Sequence, residues 1–143
     1  MAVTNRSLDV SEQRKTFVAG VGLVATGSTT HCFVMPSAGT LDGVRMAAAG
    51  ISGSPVAQVA VLRFIAGTGF TSIGGVATTL ALQTVGTSGI QSVALAASGS
   101  TLLNLVAGDV IAVGLTGANS AVATLTVAAV VKQTQDIKTQ FGL

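Results

Sequence analysis

Leu105-Val106-Ala107-Gly108-Asp109-Val110-Ile111-Ala112-Val113 reads as a tight turn that delivers the chain into a buried strand. Gly108 permits the turn, Asp109 is placed to accept backbone donors there, and an uninterrupted apolar run follows. Working outward, the same unit recurs: a short β-prone run closed by Gly, Ser, Thr or Pro. Upstream, residues 17–24, 31–35, 41–48 and 56–65 read as strands. In the run 41–48, Val44 and Met46 share a face that Asp42 interrupts, and Arg45 lies opposite. In the run 56–65, Gln58, Ala60, Leu62 and Phe64 share one face, and Val59, Val61, Arg63 and Ile65 the other. Both faces are mostly apolar, as in a strand covered on two sides. Residues 66–76 are Gly-rich and loop-like. Strands are expected at 78–85 and 90–96, with a turn at Gly86-Thr87-Ser88-Gly89 between them. Downstream, 110–115 is a strand, and 121–131 is the longest, with Leu125, Val127, Ala129 and Val131 on one face. About eight short strands, with turn signals roughly every 8–12 residues, predict an all-β chain. A jelly-roll-like β-sandwich is the architecture that fits.

Charge is scarce and unevenly placed. Hydrophobic residues make up 49% of the 143 and charged residues 8%, where an ordinary domain carries about 25% charged. Eight of the twelve formal charges (Arg6, Asp9, Glu12, Arg14, Lys15, Lys132, Asp136 and Lys138) fall in residues 1–16 and 132–143. This divides the chain into a polar N-terminal arm (1–16), a β-sandwich domain (17–131) and a polar C-terminal tail (132–143). In the arm, Ser7 to Glu12 has the spacing of a short helix start, and an extended arm fits equally. The body holds four charges, Asp42, Arg45, Arg63 and Asp109. A body so poor in charge is expected to hide much of its surface against partners.

The same scarcity excludes several functions. Net charge is +2, and residues 64–108 contain no cation, so the clustered basic footprint of a nucleic-acid binder is missing. No run of 18 apolar residues occurs, and the chain has no Tyr or Trp for the girdles of a membrane barrel. Residues 1–15 lack an apolar centre, which predicts no secretory leader. A single cysteine, Cys32, allows no intrachain disulfide and fits a reducing compartment. Cys32 adjoins the single histidine, His31, but neighbours on a strand point to opposite faces, so they make a poor nucleophile–base pair. A core thiol and a histidine on the other face is the simpler reading. The acids Asp9, Glu12, Asp42 and Asp109 are too dispersed for a metal site. The run Gly67-Thr68-Gly69-Phe70-Thr71-Ser72-Ile73-Gly74-Gly75 matches neither phosphate-binding glycine motif. No catalytic, cofactor or metal site is therefore expected. A glycan site would want an aromatic platform, and the Phe residues fall mostly in strand patterns.

The 105–113 segment resembles the turn-and-strand of trimeric jelly-roll domains, including tumour-necrosis-factor-like folds and phage fibre heads. Residues 33–41 with Val44-Arg45-Met46 look like the early strands of such domains. With its polar arm and tail, the whole chain resembles a capsid decoration (cement) protein of tailed phages. That resemblance implies a homotrimer on the outer capsid surface, made in the host cytoplasm and bound to the major capsid protein. Arg6, Asp9, Glu12, Arg14 and Lys15 of the arm, with Lys132, Asp136 and Lys138 of the tail, would make the contact. The alternatives are a fibre-head or lectin-like domain binding a cell-surface glycan through loop 66–76, a small-ligand β-barrel, and an enzyme completed by another chain.

Overall fold

The computed structural model describes residues 11–22 and 24–135. In chain order the strands are β1 (Ser11–Val21), β2 (Val24–Ala25), β3 (Thr29–Val34), β4 (Gly39–Ser52), β5 (Val56–Ile65), β6 (Gly69–Ser72) and β7 (Leu80–Ala81). After a helical turn, α1 (Val85–Ser88), come β8 (Gln91–Ser92), β9 (Asn104–Leu105), β10 (Val110–Thr116) and β11 (Ala121–Gln135). They form two antiparallel sheets. The first has the order β1-β11-β4-β8, with β2 on β11 and β9 on β4. The second has the order β3-β10-β5-β6, with β7 on β5. The pairings are nested: β5 with β6, β4 with β8, β3 with β10 and β1 with β11. This is one long hairpin rolled into two stacked sheets, a jelly-roll-like sandwich.

Alternation along the strands builds the core. Leu41, Val44, Met46 and Ala48 of β4 and Leu125, Val127, Ala129 and Val131 of β11 are buried from the first sheet. Ala57, Val59 and Val61 of β5 and Ile111, Val113 and Leu115 of β10 are buried from the second. Phe17 of β1 reaches Phe33 of β3, ring centroids 6.1 Å apart, and so joins the two sheets at one side.

Each end of the sandwich is tied differently. At one end Thr26 Oγ1 donates to the Ser120 carbonyl at 2.7 Å, and the Ser54 N–H donates to the buried Ser120 Oγ at 3.0 Å. Gly117 passes so close that a Cβ there would lie 2.7 Å from the Ser54 carbonyl, and its φ of +116° suits glycine. At the other end Arg63 of β5 meets Asp109, in the turn that the 105–113 sequence foretells.

The structure departs from the sequence reading in several places. Residues 11–16, assigned to the arm, begin β1 and pair with 130–135, so the strand crosses the expected boundaries at both 16/17 and 131/132. The polar ends of β1 and β11 supply each other's backbone partners, which needs no apolar pattern. The loop at 66–76 contains β6. Of the strand expected at 78–85 only Leu80–Ala81 forms a strand, and of 90–96 only Gln91–Ser92, with Thr84 and Leu95 each in an isolated bridge. Val85–Ser88 is helical where a turn was expected. These residues meet the sandwich through isolated backbone bonds, such as Val93 N–H to the Val44 carbonyl at 2.9 Å. Asp42 does not break the apolar face: Val130 pairs with Gly43 but Val131 with Leu41, so Asp42 sits in a bulge that turns it outward.

Ile111 is fully buried near the start of β10. Ile111→Ala is expected to cost about 2–5 kcal/mol in chemical denaturation. Ile90→Ala, at a side chain 66% exposed, is expected to cost less than about 0.5 kcal/mol.

Candidate interaction surfaces

Register gathers most of the described charges, though not Arg45, at one end. Arg14 lies opposite Lys132 across β1 and β11, and the β4 bulge places Asp42 beside both. Arg14 Nε donates to Asp42 Oδ2 at 3.0 Å, and Lys132 Nζ lies 3.9 Å from Asp42 Oδ1. Lys15 is exposed on the other face of β1, in the row of Val131. Arg6, Asp9, Asp136 and Lys138 lie outside the described residues. Glu12 is paired with Thr134 in the β1–β11 ladder, and its side chain also lies outside them. Thus Arg14 and Lys132, expected in an arm and a tail, meet on the sandwich itself.

At the same end Arg63 makes a two-pronged contact with Asp109, Nε to Oδ1 at 3.0 Å and Nη2 to Oδ2 at 2.8 Å. Nη2 also donates to the Asn104 carbonyl at 3.1 Å. The Val106 N–H donates to Asp109 Oδ2 at 2.9 Å, and Gly108 carries a φ of +89°. Burial alone would raise the Asp109 pKa. The Arg63 guanidinium and the Val106 N–H outweigh it and hold the carboxyl below its usual range. The pair clamps the β9–β10 turn onto β5, and its role is structural.

The outer face of the first sheet is a different surface. Rows across it read Gly20–Thr126–Ala47, then Val18–Ala128–Arg45–Ser92, then Thr16–Val130–Gly43. Val18 is 65% exposed, and a Cβ on Gly20 or Gly43 would meet nothing within 4 Å. The face is flat, small-residued and open, and among the described residues Arg45 is its only charge away from the Arg14–Asp42–Lys132 end.

The outer face of the second sheet is knobbed. Leu62 and Val110 lie in one row with Val34, and Phe64 faces Phe70 in the next. The Phe64 and Phe70 rings are edge-to-face, 5.6 Å apart, and both are exposed. Here the sequence reading is corrected: two phenylalanines do form an exposed aromatic pair, and β5 is covered on one side, where its pattern suggested two. The signal was present in the second apolar face of β5, but the Phe64–Phe70 register depends on the hairpin.

His31 is exposed and Cys32 half-buried. Cys32 is the extra residue of a bulge, since Ile111 pairs with Phe33 but Ala112 with His31, and its Sγ donates to the Thr30 carbonyl at 3.6 Å. Burial pushes the thiol pKa up, with the Val113 backbone contact working against it. This is a packed thiol. Among the described residues no three of His, Cys, Asp and Glu gather. The clefts along β4 are about 140–310 Å³, lined by Thr40, Asp42, Asn104 and Lys132 among others.

No protein-family model and no curated protein matches the chain. Among solved structures, the chain is similar to one from "Cyanophage Pam1 capsid asymmetric unit". The alignment covers 92% of this chain and 91% of that one, at 16% identity and a TM-score of 0.42.

The clamp gives a pH dependence of known sign. The folded-state pKa of Asp109 is depressed, so its contribution is complete above the ordinary carboxylate range of about 4 and is lost as pH falls through the folded value. Acid unfolding of the parent is expected to steepen below about pH 4, and Asp109→Asn to flatten that dependence. At neutral pH, Arg63→Met strands a buried carboxylate and is expected to cost about 3–5 kcal/mol. Asp109→Asn keeps an acceptor for Val106 and is expected to cost about 1–3 kcal/mol. Urea titrations across pH check both.

Proposed function

We propose that this chain is a structural protein of a bacteriophage virion: a decoration, or cement, protein that assembles as a homotrimer and reinforces the head by binding the major capsid protein from outside. The carrying observation is the outer face of the first sheet. The three long strands β1, β11 and β4, at about 4.8 Å spacing and about eight residues at about 3.3 Å, give roughly 400 Å² in plan, before side-chain relief is counted. A standard interface uses about 800 Å² per partner. Gly, Ala and Thr along this face let a neighbouring copy approach closely, and self-packing would remove a charge-poor surface from water. Three copies is the number that the resemblance to cement proteins implies.

The proposal gives the protein no catalytic, nucleic-acid or membrane role. Its chemistry is adhesive: a rigid body, with residues 1–10 and 136–143 continuing from the paired strand ends at Ser11 and Gln135. Several weak contacts made by one trimer on a repeating lattice multiply through effective concentration.

Two outcomes are expected. The absolute mass by light scattering is about three times the 14.0 kDa chain, and Val18→Glu with Ala128→Glu shifts it to one chain while the β-sheet circular dichroism persists. A monomeric parent would remove the role given to this face. Removal of residues 1–10, which leaves β1 whole, is expected to preserve the trimer and weaken its binding to heads; undiminished binding would end the arm's role.

A further inference from the structure

We infer that the Val34–Phe64–Phe70 end of the second sheet is a docking knob that inserts into an apolar pocket on a different protein. The inference deepens the cement reading and rests on it, the pocket then belonging to the head shell.

Five of the eight large hydrophobic side chains exposed among the described residues share this end: Val34, Phe64, Ile65, Phe70 and Val106. Phe64 and Phe70 are 62% and 54% exposed, although they stack on each other. Strand β5 carries apolar residues on both faces, the pattern of a strand covered on two sides. The chain buries both sides of β10, including Val110 and Ala112 on the outer one, but it leaves the outer row of β5 uncovered where that row ends on Phe64.

A second copy of this chain is the poorer occupant. A protruding aromatic pair needs a receiving pocket, and the clefts on the described surface are lined by Thr40, Asp42, Asn104 and Lys132, with small Leu and Ala patches. The area argues the same way. A buried aromatic contributes about 150–250 Å². Half-exposed rings with their neighbours therefore offer a few hundred Å², short of the roughly 800 Å² a side in a stable pair. One knob holds a partner weakly, whereas several knobs on one oligomer hold a lattice firmly. Residues 64–108 carry no formal charge, and Arg63 is committed to Asp109. Attachment through this patch is therefore insensitive to salt, unlike any clasp by charged arms. The knob also sits at the end where β1 starts and β11 finishes, so both kinds of contact face one side.

The test uses the full-length protein and heads of its source phage produced without it. Phe64→Ser/Phe70→Ser is expected to keep the parent's circular dichroism and mass, and to bind heads at least about 100-fold more weakly, the loss of two aromatic anchors. Parent binding is expected to persist at about 1 M salt. Val34→Glu, on a different strand of the same patch, is expected to reproduce the loss and guards against misfolding of the double variant. Equal binding by variants and parent overturns the knob and leaves the cement reading standing. Failure of the parent to bind any head overturns both. A concentration-dependent rise in mass above the trimer that the double substitution abolishes overturns the knob in favour of a second copy. Sedimentation with phosphatidylcholine vesicles, abolished the same way, overturns it in favour of lipid.

Discussion

The pairing of β11 with both β1 and β4 holds the molecule together. Its fifteen residues run the length of the first sheet, in register with β1 from Ser11↔Gln135 to Val21↔Leu125 and with β4 from Lys132↔Thr40 to Ala121↔Ser52. The contacts with β1 close the outermost layer of the rolled hairpin and bring residues more than a hundred apart together. Loop closure over such separations costs entropy that only a long, well-patterned strand repays. Because the register is fixed, Arg14, Lys132 and Asp42 meet at one end, and the inward row Leu125, Val127, Ala129 and Val131 seals the core.

Scarcity of charge then shapes the surface. The described acids, Asp42 and Asp109, both serve cations of the same chain, one at the rim and one in the clamp. What is left is two sheet faces with little to attract water. They differ in relief: Gly, Ala and Thr make the first flat, and Phe64 and Phe70 make the second convex. Flat small-residue faces suit close approach of like sheets, whereas convex aromatic ones suit pockets. On the proposed reading the first face serves assembly and the second attachment.

Much of this was legible. The strand at 110–115 declares itself as an unbroken apolar run and that at 121–131 by alternation, and Gly108-Asp109 marks its turn because the glycine permits a positive φ and the carboxylate accepts the Val106 N–H. The all-β class and the jelly-roll-like sandwich follow from such units. Residues 66–108 were less legible. They are held by scattered bonds, such as Ala96 N–H to the Val76 carbonyl and Thr78 N–H to the Ala94 carbonyl, which leave no period in the sequence. Asp42 looked like a fault in an apolar face because a bulge belongs to a strand pair, and no single strand displays it. The strand character of residues 11–16 was hidden for a similar reason, since their partners lie at 130–135. The end-clustered charges could be seen in the sequence, but the contact between Arg14, Asp42 and Lys132 could not.

Val18 on the first sheet and Val34 on the second are each 65% exposed in the single chain, and they share one intrinsic chemistry. Hydroxyl-radical footprinting of the protein alone in solution therefore compares the two faces directly. Strong protection of Val18, with Val34 modified freely, is the result expected of copies packed through the first sheet and a second sheet left open for a partner. Equal modification of the two valines would contradict that arrangement.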